Sequence, residues 1–174
     1  MNISDILIKF LLIFIKLQNY VKFKGHYRGI IDIYGISQDP NTKEYILVMR
    51  YANDGSLTDY ITKEFKWLEW KDKIRILYSI ISGLNVIHQE KLVHCDFHSG
   101  NILHSNWLPQ KMMIADLGLS APADQEPSSI VGVVPYIAPE VLNGKSYTQK
   151  SDIYSFGILM SVISTGMIRL MIMV

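Results

Sequence analysis

The sequence predicts an α+β fold, with a β-hairpin in its first third and a mainly helical remainder. Three stretches carry that expectation. "IIDIYGIS" and "KEYILVMRY" are apolar runs rich in β-branched and aromatic residues, separated by "QDPNT", whose Asp, Pro and Asn favour a turn. Ile74, Leu77, Ile81, Leu84 and Ile87 recur at spacings of three and four, which puts them on one face of a helix from Leu68 to Gln89. "SDIYSFGILMSVIST" is apolar nearly all round from Ile153 to Ile163, the pattern of a helix buried on most sides.

Bulk properties narrow the function classes. The chain has 174 residues, of which 49% are hydrophobic, enough for one ordinary core and too many for a disordered chain. A formal net charge of +1, with charged residues at 19%, gives no electrostatic reason to expect a nucleic-acid partner. Cys95 is the only cysteine, so no internal disulfide can form, and an intracellular, cytoplasmic location is expected.

Taken in order, the elements begin with "ILIKFLLIFIKL", Ile6 to Leu17. The run is broken by Lys9 and is shorter than the roughly 20 residues of a membrane span, so it predicts a buried helix and no span. Ile30 to Ser37 and Glu44 to Arg50 then read as the two strands of the hairpin. "NDGS" ends the second strand, and Ser56 is placed to cap a short helix from Leu57 to Thr62, because its hydroxyl can accept from an otherwise unpaired N–H. After the long helix come three short strand-like pieces, "LVH", "NILH" and "MMIAD". The loop from Gly118 to Val131 is rich in Ser, Pro, Ala and Asp, and its length suggests a functional segment. The tail after Gly166, "MIRLMIMV", has no turn signal or polar cap.

"HCDFHSGN" concentrates the chemistry. His94, Cys95 and His98 are zinc-compatible, but a structural zinc site needs four ligands and the sequence has no second Cys/His cluster. A Cys–His nucleophile lacks a marked orienting group or oxyanion hole, so Cys95 reads as a small packing residue. The oxygen-bearing residues fit better. Asp96 and Asn101 lie five apart on a loop between strand-like pieces, and Asp116 ends the next one. Such oxygens suit magnesium, a hard cation held by few protein ligands together with substrate phosphates.

Four motifs in order then give the chain its resemblance: it is similar to the protein kinase domain over about residues 25 to 166. "HCDFHSGN" resembles the catalytic loop, "DLG" from Asp116 to Gly118 the metal motif, "APE" from Ala138 to Glu140 the end of the activation segment, and "SDIYSFG" the start of the buried helix αF. The resemblance implies a protein-kinase-like α+β fold truncated at both ends. Residues 25–52 would be the remnant of the N-terminal β lobe and hinge, and residues 53–166 a mainly helical C-terminal lobe cut after αF. Residues 1–24 remain uncertain, with an αC remnant around Phe10 to Tyr20, and residues 167–174 read as an aberrant apolar tail.

The same resemblance implies ATP and Mg2+ as cofactors and a protein substrate. Asp96 would orient or accept the substrate hydroxyl proton, while Asn101 and Asp116 would hold magnesium. His98 stands where many kinases carry Lys or Arg near the transferred phosphate, and a largely neutral histidine would stabilise the transition state less. His94 would pack beside Leu117, and Asp152 would hydrogen-bond the catalytic-loop backbone. Met49 would guard the back of the adenine pocket, the backbone groups of Arg50 and Ala52 would hold adenine, and Leu103 would form the floor.

The sequence also departs from the family. Cys95 replaces an arginine that would bind an activation-loop phosphate, so phosphorylation at Ser120, Ser128 or Ser129 would lack this partner; nothing marks a phosphosite, and these serines read as ordinary loop residues. No G-x-G-x-x-G segment or "VAIK"-like strand precedes the hinge, and the first glutamate is Glu44. None of Lys9, Lys16, Lys22 or Lys24 sits in a matching context. "HCDFHSGN" and "GVVPYIAPE" look most like the tyrosine-kinase-like group of Ser/Thr kinases. The expected function is transfer of the ATP γ-phosphate to a protein Ser/Thr hydroxyl. The alternatives are a catalytically weak or inactive kinase-like binding module and a truncated fragment.

Overall fold

The computed structural model describes residues 23, 29–105, 111–117, 120–122, 130 and 132–167. The predicted helix of Ile6 to Leu17, the αC remnant, Gly118, Ser128, Ser129 and the tail beyond Met167 lie outside the described residues.

The hairpin forms as the alternation predicts. Strand β1 (Ile33–Gln38) pairs antiparallel with β2 (Tyr45–Met49), with a register shift between Ile33 and Gly35. Asp39 makes the turn, its carboxylate accepting from the N–H groups of Asn41 and Thr42 at 2.7 and 2.9 Å. Just past β2, the Arg50 N–H donates to the Asp32 carbonyl at 2.8 Å and its guanidinium pairs with the Asp32 carboxylate at 2.6 Å.

Helix α1 (Leu57–Glu64) starts at Ser56 in a reciprocal cap. The Ser56 hydroxyl accepts from the Asp59 N–H, and the Asp59 carboxylate accepts from the Ser56 N–H at 2.8 Å. After a 3-10 turn at Phe65–Trp67 comes α2 (Trp70–Gln89), then β3 (Leu92–Val93), β4 (Ile102–Ser105), β5 (Lys111–Ile114) and β6 (Ala121–Pro122). β4 pairs with β5, and β3 with β6, both antiparallel. The short α3 (Pro139–Leu142) precedes α4 (Gln149–Thr165), which opens on a Thr148–Ser151 capping box and ends at left-handed Gly166.

The main core lies between α2 and the β4–β5 hairpin. Ile76, Ile80, Leu84 and Ile87 meet Ile102, Met112 and Ile114, with Leu57 and Ile61 of α1 and Leu159 and Ile163 of α4 closing the sides. Each such side chain contributes about 1.5–3 kcal/mol relative to exposure. Backbones also approach closely here: a Cβ on Gly29 or Gly83 would lie 2.5 Å from the other residue's main chain. A smaller cluster of Val93, Cys95, Ile137, Ala138, Val141 and Tyr147 joins β3 to α3.

Three expectations need correction. The buried row of α2 is Ile76, Ile80, Leu84 and Ile87, whereas Ile74 is 58% exposed and Leu77 and Ile81 only flank the core. The stretch holds enough isoleucines for neighbouring rows to satisfy the same spacing. Polar and backbone contacts select the rotation, since the Ser79 hydroxyl bonds both the N–H and the carbonyl of Met112 at 3.1 Å. Helix α4 is not buried on most sides: Ile153, Tyr154 and Met160 are exposed, because the described elements pack against one face of it. The expected Gly118 to Val131 loop contains β6, whose pairing with β3 is a tertiary contact invisible to local pattern.

Two buried polar side chains brace this framework. Lys73 of α2 lies 4.0 Å from the centre of the Phe65 ring and donates to the Ser164 carbonyl at 3.0 Å, where the end of the α4 dipole favours a cation. Lys73→Met keeps the apolar stem and removes the charge. It should cost about 2 kcal/mol, lowering Tm by roughly 4–8 °C in a calorimetric scan.

His94, just past β3, is fully buried and edge-on to Phe97, not packed on Leu117 alone, with ring centroids 5.3 Å apart. The Asp96 N–H donates to its Nδ1 at 3.3 Å, so Nε2 carries the proton and donates to the Ala115 carbonyl at 3.1 Å. Burial pushes its pKa down, outweighing the opposing influence of Asp152 and the Ala115 carbonyl. The folded state therefore holds a neutral imidazole, while the unfolded chain titrates near 6.5. The stability this contributes is complete above about pH 6.5 and is lost as pH falls below it. Between pH 6.5 and 5.5, urea unfolding of the wild-type chain should lose about 1 kcal/mol more than that of His94→Gln, which keeps a donor and an acceptor but does not titrate. Parallel slopes would contradict the assignment.

Candidate active site

Residues His94–Asn101 span the turn from β3 to β4, and one carboxylate fixes how they begin. Asp152, in the first turn of α4 and 2% exposed, accepts from the His94 N–H at 2.9 Å and the Cys95 N–H at 3.3 Å, as expected from the sequence. Its Oδ2 also lies 2.8 Å from His88 Nε2 at the end of α2. Gln149 completes the joint, its Nε2 donating to the His88 carbonyl at 2.8 Å. Cys95 adopts φ +67°, a conformation costly to a non-glycine residue, and the Asp152 bond to its N–H helps hold it.

The turn gathers Asp96, His98 and Asn101. The Asn101 side-chain amide donates to the Asp96 carbonyl at 2.9 Å and to its carboxylate at 3.1 Å. The His98 Nδ1 accepts from the Gly100 N–H at 3.0 Å, leaving Nε2–H to face the Asp96 carboxylate at 3.4 Å. Burial raises the Asp96 pKa, but the His98 hydrogen bond and charge, together with His94 and Asn101, outweigh it and hold the carboxyl below its usual range. Asp96 is therefore ionised at neutral pH.

Asp116 is brought alongside by the β4–β5 ladder. Ile102 pairs with Ile114, and one step further the Ala115 N–H donates to the Asn101 carbonyl at 2.8 Å. Asp116 follows at φ +52°, a turned conformation past the strand end. Because the Asn101 amide nitrogen is committed to Asp96, its Oδ1 is the atom left to ligate. That oxygen and the Asp116 carboxylate are hard donors of the kind magnesium takes, so the residues present fit the cation.

The hinge residues lie at the other end of the site. Met49 and Leu103 both pack half-buried against the main core. Ser56 bridges Leu103, and the His104 N–H donates to the Gly55 carbonyl at 2.9 Å, which fastens the segment after β2 to β4. The Arg50 N–H is taken by the Asp32 carbonyl, and the Ala52 carbonyl by the Gly55 N–H at 3.2 Å.

Sequence reasoning missed Gly132. It has φ +118°, and a Cβ there would lie 3.2 Å from Asp96 Oδ1, so the end of the activation segment comes against Asp96 at a position where a side chain would crowd the carboxylate. The signal was present in "GVVPYIAPE", whose glycine opens the segment.

The chain matches the protein kinase domain family over residues 16–171. It is 30% identical over 155 residues to the tyrosine-protein kinase SPK-1 of Girardia tigrina, covering 86% of this chain and 31% of that protein. It is 32% identical over 146 residues to a probable serine/threonine-protein kinase of Dictyostelium discoideum, covering 81% and 8%. It is 29% identical over 147 residues to the LRR receptor-like serine/threonine-protein kinase FEI 2 of Arabidopsis thaliana, covering 80% and 24%. The chain thus spans less than a third of the length of each of these relatives. The family match covers most of the chain, including the turn that joins Asp96 to Asn101 and the end of β5 that carries Asp116, and on that basis the chain belongs to the protein kinase domain family.

Proposed function

We propose that this domain transfers the γ-phosphate of ATP to a serine or threonine hydroxyl of a protein substrate. The observation that supports the reading is the Asp96–Asn101 pair, with Ala115, the residue before Asp116, bonded to the Asn101 main chain. Phosphoryl transfer through a loose transition state asks the protein mainly for positioning and charge stabilisation. Asp96, bonded to Asn101, would accept or orient the proton of the substrate hydroxyl and so aim its oxygen.

Asn101 Oδ1 and the Asp116 carboxylate would hold Mg2+, which supplies charge neutralisation at the phosphate oxygens. The Arg50 carbonyl and Ala52 N–H would take the adenine edge, with Met49 behind it and Leu103 beneath. His98, hydrogen-bonded to Gly100 and facing Asp96, would present its Nε2–H near the transferred group. Two of the relatives above are named as serine/threonine kinases, and this, with the likeness of "HCDFHSGN" to the tyrosine-kinase-like group, supports the serine/threonine assignment.

A thermal-shift titration tests this. Mg-ATP at a hundredfold excess over Kd should stabilise the chain by about 2.7 kcal/mol, raising Tm by roughly 5–10 °C. Asp116→Ala should abolish most of the shift. A cooperative transition indifferent to Mg-ATP would overturn the nucleotide site and favour a kinase-like binding module.

A further inference from the structure

Three hydroxyls from three separate segments meet beneath the catalytic turn. Ser99, 4% exposed, accepts from the Thr58 hydroxyl of α1 at 2.7 Å and bonds the Tyr136 hydroxyl at 3.0 Å. Tyr136, itself 8% exposed, is held at its other end as well: its carbonyl accepts from the Ser155 hydroxyl of α4 at 2.7 Å, with the Ser151 carbonyl 3.0 Å from the same hydroxyl oxygen. The segment from Gly132 to Tyr136 is therefore pinned from below, by the catalytic turn through the ring hydroxyl and by α4 through the main chain.

This segment borders Asp96. Gly132 abuts the Asp96 carboxylate, and Val133 and Val134, next in the chain, are 38% and 61% exposed. These two residues are the exposed surface that the chain offers directly after Gly132, next to Asp96. Their height above Asp96 is set by the Tyr136 anchor, because Tyr136 closes the 3-10 turn through its N–H bond to the Val133 carbonyl at 2.8 Å. We propose that Ser99 and Tyr136 form a positioning clasp, which fixes the exposed Val133–Val134 shelf relative to Asp96 so that a protein substrate docks with its hydroxyl in register. The clasp deepens the phosphotransfer reading and rests on it. Neither residue touches the reacting atoms.

The test compares the wild-type chain with Ser99→Ala, Tyr136→Phe and the double variant. Amide exchange followed by mass spectrometry should accelerate about fivefold across residues 132–138 in each single variant, with no further gain in the double variant. The α2 amides of residues 76–87 should exchange as in wild type. Unchanged exchange in 132–138, or equal acceleration in α2, would overturn the clasp whether or not the chain transfers phosphate.

With dephosphorylated casein as substrate, each single variant should raise the casein KM about fivefold at unchanged ATP KM. A rise in both constants, or in neither, would overturn the positioning role. Loss of the Mg-ATP thermal shift in the wild-type chain would instead be a failure of the phosphotransfer reading, and the exchange comparison would still decide the clasp.

Discussion

The arrangement of this domain depends on the carboxylate of Asp152. A buried carboxylate is tolerable only where its oxygens are satisfied, and this one takes two main-chain N–H groups and the His88 ring. Its place in the first turn of α4 adds a favourable interaction with the helix dipole. The three partners come from two places, the end of α2 and the start of the His94–Asn101 turn. One side chain thereby sets the relation of the two long helices and of the loop that must carry Asp96. It also helps hold Cys95 in its left-handed conformation, which turns the chain so that Asp96 and Asn101 approach each other.

From that anchor the rest of the site follows by short hydrogen-bonded steps. His94 is held neutral by burial and bonded to Ala115, which links the catalytic turn to the strand end carrying Asp116. The ladder from Ile114 through Ala115 to Asn101 brings the main chain that carries Asp116 to that of Asn101. Asp96 is surrounded by donors from His98 and Asn101, which favour its charged form over the effect of burial.

Much of this was legible in the sequence, for identifiable physical reasons. The hairpin announced itself by alternation and by an Asp-Pro-Asn turn, and the α1 start by Ser56, whose cap operates within four residues. The Asp96–Asn101 contact joins residues five apart, within reach of a local reading, and Asp116 was singled out by its place at the end of a strand-like piece. The face of α2 was not legible: several isoleucine rows satisfied the same period, and the choice among them came from Ser79 on Met112 and from Gly83 against Gly29. The β3–β6 pairing, the Gly132 approach to Asp96 and the Lys73 cap on α4 all join residues far apart in sequence, so no window could hold both partners. The apolar run of α4 suggested burial all round, yet Ile153, Tyr154 and Met160 face outward among the described residues.

The most direct measurement is residue-resolved amide exchange at His94 and Cys95 in Asp152→Asn against the wild-type chain, with Ile80 of α2 as the internal reference. Asparagine keeps the shape but offers one acceptor oxygen in place of two and turns an NH2 group toward existing donors. The account predicts that exchange at the two loop amides accelerates at least about tenfold relative to Ile80, as expected on loss of a charge-assisted hydrogen bond. Loop amides that keep their wild-type ratio to Ile80 would show that the catalytic turn is held by something other than Asp152, and would contradict the account at its foundation.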